Sequence, residues 1–203
     1  MLLSNQEILT TNTFSSSFSS DNFQQDITYS LIIDIDGSVN LNSYEGSGYI
    51  IDIQNRPGRV GFPEVIESKI GNPRLVKFRE IETDRLLQVK GWDLKLGNQT
   101  FWNLYVMSFG SNINLNNLNL INTEIIGTGD INMGKNLNSG DIFISGNFNI
   151  YVDTSLPIVV IGSAEVPAGW IDATIGYLNQ TNENYKFKVI VEEGSNVVFQ
   201  NGE

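Results

Sequence analysis

Apolar side chains fall on every second residue through most of this chain, and a period of two is the signature of strands. In "DITYSLIIDID", Tyr29, Leu31, Ile33 and Ile35 share one face while Ser30, Ile32 and Asp34 share the other. Tyr49, Ile51 and Ile53 repeat the pattern, as do Ile142, Ile144, Phe148, Ile150 and Val152. In "FWNLYVMSF" both faces are apolar, with Trp102, Leu104, Val106 and Ser108 on one and Phe101, Tyr105, Met107 and Phe109 mostly on the other. A strand oily on both sides is a central or interface strand. The expected class is all-β, with antiparallel meanders packed as sandwich-like sheets.

Twenty-five asparagines and nineteen glycines reinforce that expectation, because asparagine side chains compete for local backbone groups and disfavour helix interiors. Only 17% of residues are charged, so uncharged amides carry much of the solubility. One segment has helical punctuation. In "FPEVIESKIGNP", Pro63 suits a first helical position, Glu64 and Glu67 favour its positive end, and Gly71 then Pro73 stop it. A short helix near 63–70 is expected.

The stretch "DIDGSVNLNSYE", Asp34 to Glu45, imitates a twelve-residue calcium loop. The sixth position, where such a loop needs glycine, is Val39, and the flanks read as strands rather than helices. Asp36-Gly37 signals a hairpin instead. A three-residue connection would set Ile35 opposite Val39 and Ile33 opposite Leu41, keeping faces consistent. Asp34, Asp36 and Asp52 could still converge on one face and hold Ca²⁺ loosely; otherwise no cofactor is expected.

Three regions are expected: an N-terminal arm (1–25), a β domain (26–109), and an Asn/Gly-rich β region with a C-terminal hairpin (110–203), the last two open to being one continuous sheet. Eleven of the 41 residues from Gly110 to Ile150 are asparagine. Ile113 and Leu115 share one phase and Leu118 and Leu120 the other, so Asn116-Asn117 marks a bulge or tight bend. Either meander strands with amide-covered outer faces or a short solenoid with asparagines stacked at its corners fits this segment. No fixed period is evident beyond two loose units, and the meander is the expectation. Near the end, Ile171, Ala173, Ile175 and Tyr177 are expected to face Tyr185, Phe187, Val189 and Val191 across a hairpin.

The chain has no cysteine and no histidine. That removes disulfides, thiolate chemistry, Ser-His and Cys-His hydrolysis and the commonest zinc ligand. Carboxylate pairs such as Asp34 with Asp52, Glu80 with Glu82 and Glu192 with Glu193 leave a glycan hydrolase as the least favoured function. The net charge of −11 argues against nucleic acid and anionic lipid as partners. Nine of the twelve basic residues lie between Arg56 and Lys95, so that window is +3 and the remainder −14, a dipolar chain suited to pairing with copies of itself. No apolar run reaches the roughly 18 residues of a membrane span, and no basic-flanked leader is visible.

The arm carries Phe14, Phe18 and Phe23 in "TFSSSFSSDNFQQ", spacing that suits lying on an apolar surface. With Trp102 and Tyr105 these are the interface candidates, although core packing is the default for Trp92, Trp102 and Trp170 alike. "VPAGW", Val166 to Trp170, resembles the Pro-x-Gly-Trp turn of phage tail-collar and fibre segments over five residues. The leading expectation is a non-enzymatic assembly protein: a virion accessory (head decoration, tail or fibre) or a surface adhesin module. It would sit on a virion or extracellular surface and contact itself or other subunits. A lectin-like glycan binder is the alternative.

Overall fold

The computed structural model describes residues 14–19, 27–35, 37–55, 63–68, 70–71, 73–80, 91–180 and 184–202. Among them there are fifteen strands and no helix, in one mixed sheet. The all-β, sandwich-like expectation holds, but the connectivity is that of a coil. Three long strands set the plan: β8 (Phe101–Asn114), β9 (Asn119–Met133) and β10 (Ile142–Asp153). They lie side by side and parallel, in register Ile125↔Val106 and Ile144↔Ile125. Each position of β9 therefore stacks on the β10 residue nineteen further along, and Asn103–Ser108 of β8 on β9 likewise, whereas bulges near Trp102 and Ser108 set the flanking β8 residues eighteen from their β9 partners.

Each long strand turns a corner halfway and so belongs to two limbs of sheet. In the first limb, β2 (Thr28–Asp34) joins the first half of β8, followed outward by β6 (Arg74–Glu80) and β5 (Pro63–Glu67). On the far side this limb continues from β10 to β14 (Phe187–Val191) and β11 (Ile158–Ile161). In the second limb, β3 (Val39–Tyr44) joins the second half of β8, followed by β7 (Gly91–Gly97), β4 (Tyr49–Asn55) and β1 (Phe14–Ser19). Its far side ends in β15 (Asn196–Gly202) beside β10. The hairpin of β12 (Ile171–Ala173) and β13 (Gly176–Leu178) covers β11.

The corner requires small residues. Ser108, Gly127 and Gly146 stack in register there. A Cβ on Gly127 would sit 1.8 Å from the Ser108 carbonyl oxygen, and one on Gly146 would sit 2.0 Å from that of Gly127. Both glycines have φ near +120°, a region side chains strain to enter (125° and 121°). Ser111 Oγ, 2.6 Å from Ser108 Oγ, accepts the Val39 N–H at 2.9 Å and ties the neighbouring coil to this corner.

Both limbs turn alternate side chains into one core, which joins Leu31, Val106, Ile125 and Ile144 of the first limb to Leu41, Ile113, Ile131 and Ile150 of the second. At the coil's third side, Leu118, Leu137 and Leu156 recur at nineteen-residue spacing, all fully buried. Tyr29, Leu31, Ile33 and Ile35, Tyr49 and Ile51, and Ile142, Ile144, Phe148, Ile150 and Val152 face inward as read from sequence, whereas Ile171 and Ile175 are exposed, and the bend at Asn116-Asn117 is a turn with Asn117 at φ 61°.

Four expectations are corrected. The segment near 63–70 is not a helix: residues 63–67 form β5, which among the described residues pairs with β6 alone. An edge strand tolerates Pro63's missing N–H, and two helical turns seldom support themselves. The stretch from Asp34 to Glu45 is neither a calcium loop nor a hairpin, because β2 and β3 pair with successive halves of β8 rather than with each other. Tyr185, Phe187, Val189 and Val191 do not face Ile171 to Tyr177 across a hairpin; β12 pairs with β13, while β14 runs parallel to β10 and β11. Parallel coiling replaces the antiparallel meander along the long strands.

Candidate functional site

The outward-facing positions form rows perpendicular to the strands, because strands in register place equivalent residues side by side about 4.8 Å apart. On the second limb the row is amide and carboxylate: Asp52, Asp93, Asn40, Asn112, Asp130 and Asn149 occupy neighbouring strands. Asn40 Nδ2 donates to Asp93 at 2.9 Å, and Asn149 Nδ2 donates to Asp130 at 2.9 Å. In the next row Asn114 Nδ2 donates to Asn42, and Asn132 Nδ2 reaches across to Asn112, both at 3.3 Å. Further ladders run along the corners, Asn136 to Asn117 at 3.0 Å and Asn138 to Asn119 at 3.3 Å. Each link joins residues nineteen or twenty apart, apart from Asn40 to Asp93 and Asn114 to Asn42, which bridge coils more distant in sequence.

The first limb presents different chemistry. Lys77, Ile32, Tyr105, Glu124, Phe143 and Ile190 form one row across β6, β2, β8, β9, β10 and β14. Phe143 is 47% exposed and Ile66, at the row's β5 end, is 40% exposed. Beside this row, Asn122 Nδ2 donates to Asn103 Oδ1 at 3.0 Å, and Asn103 Nδ2 donates to Ser30 Oγ at 3.4 Å. Together these residues border an open depression of about 370 Å³. The Tyr105 phenol is held above its usual pKa by partial burial and then by the carboxylates of Glu124 and Asp34.

The expected site residues scatter. Asp34 faces outward on β2 beside Arg79 and Met107, whereas Asp52 lies on β4 opposite Asp93. They stand on different limbs, and Asp36 lies outside the described residues. Among the described residues no group of three acidic side chains gathers in a geometry that could hold a metal ion. Glu192 and Glu193 sit exposed at the end of β14, and Glu82 lies outside the described residues.

The arm's residues 14–19 form β1, which adds to the free edge of β4 with Phe14 beside Asn55 and Phe18 beside Ile51. Phe23 lies outside the described residues. Trp102 is a core residue and cannot form an interface: it is fully buried, tilted against Tyr29 at 5.9 Å, with Nε1–H donating to Gly97 O at 3.1 Å. Trp92 is buried, and Trp170 packs on Phe199 at 5.6 Å. Tyr105 alone of the interface candidates is shown facing outward on a formed surface. Sequence reasoning missed its partner Phe143 and the Asn103–Asn122 ladder. The signal was present, since Asn98, Asn117 and Asn136, Val106, Ile125 and Ile144, and Ser108, Gly127 and Gly146 all recur at nineteen residues.

On the inner side, Tyr49 of β4 packs edge-on against Phe78 at 5.1 Å and donates its hydroxyl to Glu67 of β5. Burial, followed by that hydrogen bond and the Glu67 charge, raises the Tyr49 pKa well above the usual tyrosine range.

No protein-family model matches the chain, and no curated protein matches it either. Its fold is similar to that of a crystal structure, at 1.95 Å resolution, of a protein from Clostridium sporogenes ATCC 15579 proposed to act in cell adhesion. The TM-score is 0.64 with 13% sequence identity, over 93% of this chain and 97% of that one. The likeness is one of fold. Among the described residues no helix is long and apolar enough to cross a membrane.

Proposed function

We propose that this chain is a non-catalytic surface module that acts in adhesion, using the outer faces of its coiled sheet as contact surfaces. The observation that supports this most is the first limb's outward row, where exposed Ile66 and Phe143 and half-buried Tyr105 lie on one line across the strands, among several apolar residues the surface leaves exposed. Exposed apolar surface of that kind marks contact sites. A fold shared along nearly its whole length with a protein proposed to act in cell adhesion points the same way. Its expected place is an extracellular surface. A virion accessory role has the same physical premise and no motif of its own, so adhesion is the reading adopted.

Beads coated with the chain test it. They should bind bacterial or animal cells above beads coated with an inert protein of equal net charge, and soluble chain should compete. Beads that bind no cell type would remove the reading. Release of sugar from a glycan substrate by the chain, lost on replacing an acid by its amide, would replace it with hydrolysis.

A further inference from the structure

The depression on the first limb combines two chemistries that seldom share a sheet face. Tyr105 and Phe143 flank Glu124 on strands either side of β9, roughly 10 Å apart, two strand spacings. One row away, Ser30, Asn103 and Asn122 form a polar ladder. A primary amide has two N–H donors and an acceptor oxygen, and the ladder spends one donor of each asparagine. Aromatic rings beside amides and one carboxylate complement a pyranose, which offers an apolar C–H face for stacking and an edge of hydroxyls for paired hydrogen bonds.

We propose that this groove, lined by Tyr105, Phe143, Asn103, Asn122 and Glu124, binds an uncharged oligosaccharide. The inference rests on the adhesion reading and names its ligand. Charge selects the class. Glu124 lines the groove and Asp34 follows Ile32 on the outward face of β2, and after partial burial these two carboxylates favour the protonated Tyr105 phenol. Sialylated and uronic sugars are repelled there. Lys77 and Arg79 lie on the β6 flank, beyond Ile32 and Asp34 respectively. The second limb has the amides without an aromatic pair, since Tyr151 stands there between Asn132 and Gln200. Among the described residues, stacking and hydrogen bonding coincide on the first limb.

The test uses the full chain on an array of neutral, sialylated and uronate-containing oligosaccharides. The best neutral trisaccharide is then titrated by calorimetry. Wild type should bind neutral glycans and ignore anionic ones. Phe143→Ala should weaken binding at least tenfold, and Asn122→Ala severalfold. Glu124→Gln should keep neutral binding and admit anionic sugars, while Asn149→Ala on the other limb should change nothing. Phe143 and Glu124 are exposed, so these variants keep the core, and unchanged far-ultraviolet circular dichroism verifies it. Absence of neutral-glycan binding, or a Phe143→Ala affinity within twofold of wild type, overturns the proposal. So does a dimer in sedimentation that Phe143→Ala dissociates, which would give the face to a second copy. The two readings fail separately. Beads carrying Phe143→Ala that still adhere sink the groove alone, whereas glycan binding without adhesion of any bead sinks the adhesion reading alone.

Discussion

The two limbs share their long strands, their core and their spacing, yet their outer faces differ in kind. The second limb wears interlocked amides, with Asn40, Asn112, Asn132 and Asn149 bonded from coil to coil. The first wears Ile32, Tyr105 and Phe143 with a single short polar ladder beside them. In a coil of parallel strands the inner positions specify the fold, and the outer positions of each limb are left to a separate task. One limb's surface is bonded to itself; on the function proposed above, the other's meets a partner.

The comparison can be broken most severely at the corner that divides the limbs. Gly127→Val should place a branched Cβ against the Ser108 carbonyl at a φ such residues avoid. The expected loss exceeds about 3 kcal/mol in urea denaturation, with global unfolding as the extreme outcome. A loss under about 1 kcal/mol would mean the corner relaxes and the limbs are not rigidly divided. Next come the cores. Ile125→Ala in the first limb and Ile131→Ala in the second should each cost about 2–5 kcal/mol, with matched values, because both side chains are fully buried in one cluster. Two separate transitions in either variant would show that the limbs unfold as separate units.

Tyr49 offers a pH test. Its folded-state pKa is raised, so the folded chain keeps a proton that the unfolded chain releases near 10. The stability it contributes is fully present below pH 10 and disappears as pH climbs toward the folded value, by roughly 1 kcal/mol per unit. Tyr49→Phe should flatten that alkaline slope in denaturation curves measured from pH 9 to 11.5. A smaller gain is expected at Thr123, which stacks between Leu104 and Ile142 with its hydroxyl buried and unpartnered. Thr123→Val should raise stability by about 1 kcal/mol. The smallest effects separate the outer faces themselves. Asn132→Ala should lose about 0.5 kcal/mol as its ladder opens, whereas Phe143→Ser should leave thermal stability nearly unchanged and improve solubility. Equal losses would erase the distinction between a self-bonded face and a contact face.

Much of this plan was legible in the sequence. Alternation identified the buried side of β2, β3 and β10 residue by residue, since burial on one face leaves a period of two whatever the partner strand, whereas β8 read as buried on both faces and exposes Phe101 and Phe109. That same generality hid the connectivity: Ile33 alternates with Asp34 identically in a hairpin and in a coil. The deciding signal was the nineteen-residue recurrence of Leu118, Leu137 and Leu156, and it was diluted by a bulge that pairs Asn112 with Asp130, eighteen residues on. Tyr105 was found because its strand is oily on both faces. Phe143 was missed because its strand alternates cleanly, and only the register places it two strands from Tyr105.

The corner glycines and stacked leucines make nineteen residues a unit that can be copied whole. A tandem duplication of one such stretch would lengthen the molecule by one strand width, about 4.8 Å, while the terminal hairpin and the edge strands stay as they are. The extent of surface offered to the outside is then a matter of how many turns the gene encodes, open to adjustment by recombination without redesigning a single contact inside.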